Sequence, residues 1–218
     1  MSVGAAQAAV TGEDTKLGIL GFSPDGRYVA FEDFGSEGES DFKYSEISVV
    51  DSVADRLVGI PIRVRSTDEN EPVKTTRAQN VKKAGAALSG VGIVLGDEGA
   101  APAMTHSKDA FGVVRFDLAG SAYELQLSTQ AVADKGCHHA IEGSVAFTLS
   151  LKKDGKRRSL HDETRVPKSR GAHGCIVDYD IEAVRAQGRT LAVFLRVAAP
   201  GFEAGIDYSH IVVTLRDY

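Results

Sequence analysis

The sequence predicts a mainly β protein: an antiparallel β-sandwich or partly closed barrel with one α-helix, and not a full propeller. Three observations lead there. Apolar residues recur at every second position through most of the C-terminal half, the spacing of strands with one face on a core. Turn dipeptides separate those stretches. A single segment keeps a helical period instead. The chain's 218 residues, 43% hydrophobic and 25% charged, are enough for such a core.

Taken in order, residues 1–10 (Met1 to Val10) are small, uncharged and aperiodic. Ala6-Gln7-Ala8 reads like the end of a secretory signal, which makes this stretch a signal-peptide remnant or a disordered terminus. Residues 11–95 are expected to form a β-meander plus the helix. Ser23-Pro24-Asp25-Gly26 specify a tight turn, with proline fixing φ and glycine taking the positive-φ position. Tyr28 to Phe31 and Ile47 to Val50 then read as neighbouring strands. Val73, Val81, Ala84 and Leu88 recur at helical spacing, and Pro72 suits a first helical turn. Asp68, Glu69 and Glu71 lie near the positive end of the macrodipole, so a helix is predicted near residues 72–88, ended by Gly90 and Gly92. The turn-rich stretch from Leu95 to Asp109 reads as a linker.

Residues 110–218 are expected to form an antiparallel β unit packed as one domain with the first. Val114, Phe116 and Leu118 alternate with Val113, Arg115 and Asp117. Tyr123, Leu125 and Leu127 alternate with Glu124, Gln126 and Ser128. Val145, Phe147, Leu149 and Leu151 oppose Ser144, Ala146, Thr148 and Ser150. Val177, Tyr179, Ile181 and Ala183 oppose Asp178, Asp180 and Glu182. Leu191, Val193, Leu195 and Val197 follow, then Ile211, Val213 and Leu215. Each is read as a half-polar strand with one buried face. Asp154-Gly155 is a two-residue hairpin signal, and Gln187-Gly188 separates two further strands.

The run from Gly21 through Phe31, with Tyr44 to Asp51, resembles one blade of the Tol-type β-propeller. It occurs once, whereas a propeller needs four or more blades. That resemblance implies only a local β-meander. The wider run from Gly21 through Val64, with Glu32, Tyr44, Glu46 and Pro61, and the closing Ala199-Pro200-Gly201-Phe202-Glu203, is similar to an uncharacterised family of predicted secreted bacterial proteins. The resemblance implies export, to the periplasm or beyond, and a single-unit architecture. It brings no activity with it.

Charge and cysteine usage narrow the function classes. Lys plus Arg number 25 against 30 for Asp plus Glu, a net charge of -5. That disfavours nucleic-acid binding, which rests on clustered cations. No apolar run approaches the roughly 18 residues of a membrane span. The two cysteines, Cys137 and Cys175, are expected to pair in an exported protein, stabilising it by roughly 4 kcal/mol in the chain-entropy model. Such a bridge gathers Gly136-Cys137-His138-His139 and His173-Gly174-Cys175. His138, His139 and His173 then become candidate ligands for zinc or copper, imidazole-preferring metals. The plainer alternative is a disulfide-stapled loop, and no other cofactor is indicated.

The hairpin Lys152-Lys153-Asp154-Gly155-Lys156-Arg157-Arg158 holds five cations in seven residues. It is a candidate docking point for a periplasmic protein or an anionic surface. The alternative is a charged tip that keeps a sheet edge soluble. Glu32, Asp33, Glu37, Glu39 and Asp41 offer oxygen ligands for Ca²⁺, without the spacing of a known calcium loop. Neither G-x-S-x-G nor S-x-x-K occurs, and there is no phosphate loop. His106 with Ser107, and His161 with Asp162 and Glu163, are neighbours on strands and so face opposite ways. The sequence therefore leans away from an enzyme. It favours a periplasmic, non-enzymatic binding or adaptor module, ahead of a transition-metal binding protein and, third, a hydrolase.

Overall fold

The computed structural model describes residues 15–37, 40–132, 144–163, 175–201 and 205–218. Its strands form three antiparallel sheets. The first contains β1 (Lys16–Phe22), β2 (Tyr28–Ser36), β3 (Lys43–Asp51), β4 (Arg56–Leu57), β5 (Ile62–Arg65) and β6 (Val94–Leu95). They run in the order β4-β3-β2-β1-β6, with β5 also on β3. The second contains β7 (Thr105–His106), β8 (Val113–Leu118), β9 (Ser121–Val132), β10 (Ser144–Lys153) and β11 (Lys156–Asp162), in the order β11-β10-β9-β8-β7. The third contains β12 (Asp178–Gln187), β13 (Thr190–Pro200) and β14 (Ile206–Arg216), with β13 in the centre.

The sheets stack, and the third is the middle layer. Leu191, Val193, Leu195 and Val197 of β13 share one core with Leu125 and Leu127 of β9 and Phe147 and Leu149 of β10. On the opposite face Ala192 and Phe194 pack with Phe22, Val29, Phe31 and Val50 of the first sheet. The rings of Phe31 and Phe194 meet edge to face, 5.9 Å apart. The expectation of a half-polar strand here is corrected: Leu191 to Leu195 is an uninterrupted apolar run, as a strand covered on both sides requires. On the second sheet β9 and β10 alternate as read, β10 burying Phe147, Leu149 and Leu151 on one face. The outer strands of the middle sheet do not, because a bulge after Ile181 turns Ala183 toward the first sheet and β14 buries His210 and Thr214 on that side. This is the sandwich rather than the barrel alternative, with no radial blades among the described residues.

Helix α1 (Val73–Gly90) covers the far face of the first sheet and matches the predicted span, with Pro72 at the N-cap. Ala84 and Leu88 pack on Ala30, Ile47 and Ile93. The other half of its buried face is polar: Thr76 and Asn80 are fully covered. Asn80 Nδ2 donates to the carbonyls of Ser45 and Ile62, each at 2.9 Å. Arg77 Nε donates at 2.9 Å to the fully buried Glu32, and Ser45 Oγ donates to the same carboxylate at 2.6 Å.

Two sequence signals have a direct structural cause. Gly26 closes the Ser23-Pro24-Asp25-Gly26 turn by donating to the Ser23 carbonyl at 2.8 Å. Its φ is +67, and a Cβ there would stand 2.3 Å from the Gln187 carbonyl oxygen. Glycine is thus required both by the turn and by the hairpin of the middle sheet seated on it. Asp154 (φ 48) and Gly155 (φ 81) form the expected two-residue hairpin turn between β10 and β11. The turn-rich stretch after Leu95 is pinned: Ala100 bridges to Ala186 of β12, and the Asp97 carbonyl accepts from Phe22 N–H at 2.9 Å.

The double burial of β13 gives a first test. Phe194→Ala is expected to lower the unfolding free energy by about 3–5 kcal/mol in urea denaturation. Ile60→Ala, at a side chain 88% exposed, should change it by less than about 0.5 kcal/mol.

Candidate functional site

The basic hairpin folds where the second sheet ends. β11 is the outermost strand of that sheet, and its far side has no strand partner among the described residues. Register sets Lys152 opposite Arg157 and Lys153 opposite Lys156. Like charges directly across a strand pair repel. Lys152, Lys156, Arg157 and Arg158 are exposed, and none has an ion-pair partner among the described residues. On its other side Lys152 faces Glu124, but that carboxylate already accepts from Arg115 Nε at 2.9 Å. Lys153 differs from the other four: it is half-buried and donates to the Tyr218 carbonyl oxygen at 3.3 Å.

A second concentration of charge lies between the first and middle sheets. His210 of β14 has a fully buried side chain. Its Nδ1 lies 2.6 Å from Asp33 Oδ1 and its Nε2 lies 2.8 Å from Glu182 Oε2. The His210 backbone N–H donates to the other Asp33 oxygen at 3.0 Å. Burial opposes a charge on this imidazole, but the two carboxylates outweigh it and raise its pKa to about 9. His210 therefore carries both protons at neutral pH and donates on both sides. Burial pushes Asp33 upward against the pull of His210. For Glu182 burial is again the largest single influence, but the hydrogen bond and charge of His210, with Arg196, together outweigh it and hold the carboxyl low. Glu46, opposite Asp33 on β3, is raised to about 7 by burial, with Asp33 adding to it and Arg63 opposing. Both imidazole nitrogens are engaged, so this site holds a proton and cannot also hold a metal through His210.

These contacts correct the calcium reading. Glu32 and Asp33 lie on β2 and point to opposite faces, one to Arg77 under the helix and one to His210. Glu37 forms ion pairs with Arg63 and Arg65. Asp41 is exposed, 3.8 Å from Lys43. Glu39 lies outside the described residues. The rings of Phe34 and Phe42 are covered by Arg77 and Arg65 at 3.8 and 4.1 Å.

Cys137, His138, His139 and His173 lie outside the described residues. Cys175 is buried and is not a free thiol. Among the described residues no three His, Cys, Asp or Glu side chains gather as a metal site. His161 stacks on Phe147 with ring centroids 4.7 Å apart, while Glu163 accepts from Tyr179 Oη at 3.2 Å. His106 is exposed on β7. No helix among the described residues is long and apolar enough to cross a membrane.

The chain belongs to the family described as "Predicted secreted protein (DUF2259)", whose model matches residues 30–216. Membership accords with the expected export. No curated protein and no solved structure matches the chain.

The buried cluster sets a pH dependence. The pKa of His210 rises from 6.5 to about 9 on folding. Its stabilisation is complete below the unfolded value and lost as pH rises through the folded one. Glu46 moves from 4.5 to about 7, so the cost of ionising it appears over that lower interval. Unfolding free energy should therefore fall as pH rises from about 5 to 9, by on the order of 3 kcal/mol for the His210 limb. Urea unfolding across that range measures it. His210→Gln should flatten the limb above about pH 6.5 while leaving the Glu46 limb.

Proposed function

We propose that this secreted chain is a non-enzymatic binding module that docks an acidic partner protein along the edge strand β11. The observation that carries the reading is the row of exposed, unpaired cations Lys152, Lys156, Arg157 and Arg158, held in a like-charged register by a tight turn. Charges also keep an edge soluble, but that role does not call for like charges set opposite each other. Opposing cations across the hairpin cost stability, and an anionic partner removes that cost. An edge strand also offers backbone hydrogen bonds to an extended segment, which a flat anionic surface does not use.

Binding to a poly-glutamate peptide tests this. The wild type should bind, and replacing Lys152, Lys156, Arg157 and Arg158 by Gln should weaken binding at least tenfold at about 0.15 M salt, where exposed charges are screened beyond roughly 8 Å. Equal binding by both proteins, or none by either, overturns the reading.

We also infer a Cys137–Cys175 disulfide. The secreted family and the engaged, buried Cys175 support it. Thiol titration of the denatured, unreduced protein should find no free thiol. Two free thiols would refute the bridge.

A further inference from the structure

β9 outruns its neighbour on one side. Its pairing with β8 ends at Gln126, opposite Val113, whereas its pairing with β10 continues to Val132, opposite Ser144. Gly112 still follows the line of β8, its carbonyl accepting from the Leu127 N–H at 2.8 Å. A Cβ on Gly112, whose φ is +72, would stand 2.3 Å from the Leu127 carbonyl oxygen. Only glycine lets the chain turn this close to the strand. The loop is closed by Ser107 N–H, which donates to the Val113 carbonyl at 2.8 Å. Phe111, the next residue out, is 77% exposed.

From Ser128 onward the β8 side of β9 has no strand beside it among the described residues. Main-chain groups alternate sides along a strand. The N–H and C=O of Thr129 and Ala131 therefore point the same way as the Leu127 N–H, into the line that β8 vacates. Ser128, Thr129, Gln130 and Ala131 are exposed and uncharged. Cations line the other edge of this sheet, at β11, where they discourage pairing of two identical edges. Ser128 to Val132 carry no such guard. An exposed aromatic on a closed loop beside an open strand edge marks a surface that a further strand completes.

We propose that this edge pairs with the same edge of a second copy of the chain, antiparallel about a two-fold axis at Gln130. Register is the argument for that occupant. The outward main-chain groups sit on Thr129 and Ala131, one on either side of Gln130. A two-fold axis there sets Thr129 of each copy opposite Ala131 of the other, and each such pair exchanges both of its hydrogen bonds. The absence of charge lets two identical edges approach. Ser128 then faces Val132 of the second copy, and Phe111, which leaves the sheet beside Ser128, packs on that valine and is covered.

Sedimentation equilibrium of the full chain tests it. The wild type should pass from monomer to dimer and no further, with a Kd below about 100 µM. Ala131→Pro removes an outward N–H at an edge position that tolerates proline, and Phe111→Ser removes the aromatic. Each should weaken the dimer at least tenfold. Gln130→Glu and Gln130→Lys should each weaken it by setting like charges together at the axis. An equimolar mixture of those two should dimerise more tightly than either alone, which also shows that both fold. A monomer at every concentration up to about 500 µM, unchanged affinity in any of these variants, or no gain on mixing overturns the proposal. The protein with Lys152, Lys156, Arg157 and Arg158 replaced by Gln should dimerise as the wild type does. Loss of the dimer there would move the contact to β11 and overturns it too. Because the two edges share no residue, failure of the dimer leaves the docking reading standing, and the reverse holds too.

Discussion

A strand covered on both faces has no side chain to give to solvent except at its ends, and β13 imposes that condition on everything around it. Five consecutive apolar residues, Leu191 to Leu195, satisfy it. Leucine and valine project toward the second sheet, while small Ala192 and large Phe194 project toward the first. Each flanking sheet must then present an apolar face of its own. Phe147 and Leu149 do so on one side, and Phe31 and Val50 on the other. Loss of bulk at this strand leaves a cavity between layers that no neighbouring loop can collapse to fill. The layer order follows from this one strand.

Where the apolar run stops, polar contacts take over the alignment of the first sheet on the middle one. Arg196 ends the run and sits beside His210 in register. His210 then spans from Asp33 to Glu182. Further along, the Asp55 carboxylate accepts from the N–H and the hydroxyl of Thr214, at 3.1 and 2.9 Å. Buried charges gain little over a well-packed apolar replacement, but a displaced partner leaves an unpaired charge and is costly. Contacts of this kind penalise sliding of one sheet over the other, which greasy side chains alone tolerate. The proton on His210 is therefore part of the inter-sheet joint.

The sequence makes the strands legible and hides the joint. Period-two patterning is local, so Val145 to Leu151 and Leu191 to Val197 are readable as strands, as are the turns at Gly26 and Gly155. The helix is only half legible from its face, because Arg77 reaches the buried Glu32, Thr76 donates to Glu71 and Asn80 to the Ser45 and Ile62 carbonyls, filling with polar groups positions where apolar residues would ordinarily signal packing. His210, Asp33 and Glu182 stand 177 and 28 residues apart from one another in the chain. Nothing in local pattern connects them. Glu182 and its neighbours read as a solvent face because a second cover over the middle sheet is a property of the whole stack. The available clue was the missing polar face of β13, which demanded a third layer.

That layering also decides where function has room. The helix closes the outer face of the first sheet, and both faces of the middle sheet are used. What remains accessible includes the outer face of the second sheet and the sheet rims, among them the edge strand β11 and the hairpin ends beside it. The distribution of charge points the same way. Several arginines of the first and middle layers are held by carboxylates, as Arg27 is by Asp51, Arg77 of the helix by Glu32 and Arg196 by Asp180. The cations of the β10–β11 hairpin are not. In a chain whose net charge is -5, a local positive field survives only where pairing is withheld, and such a field draws anions from solution and orients them as they approach. Stability places no demand for those cations at that rim, because the like-charged register works against it. The proposed docking role accounts for their presence there.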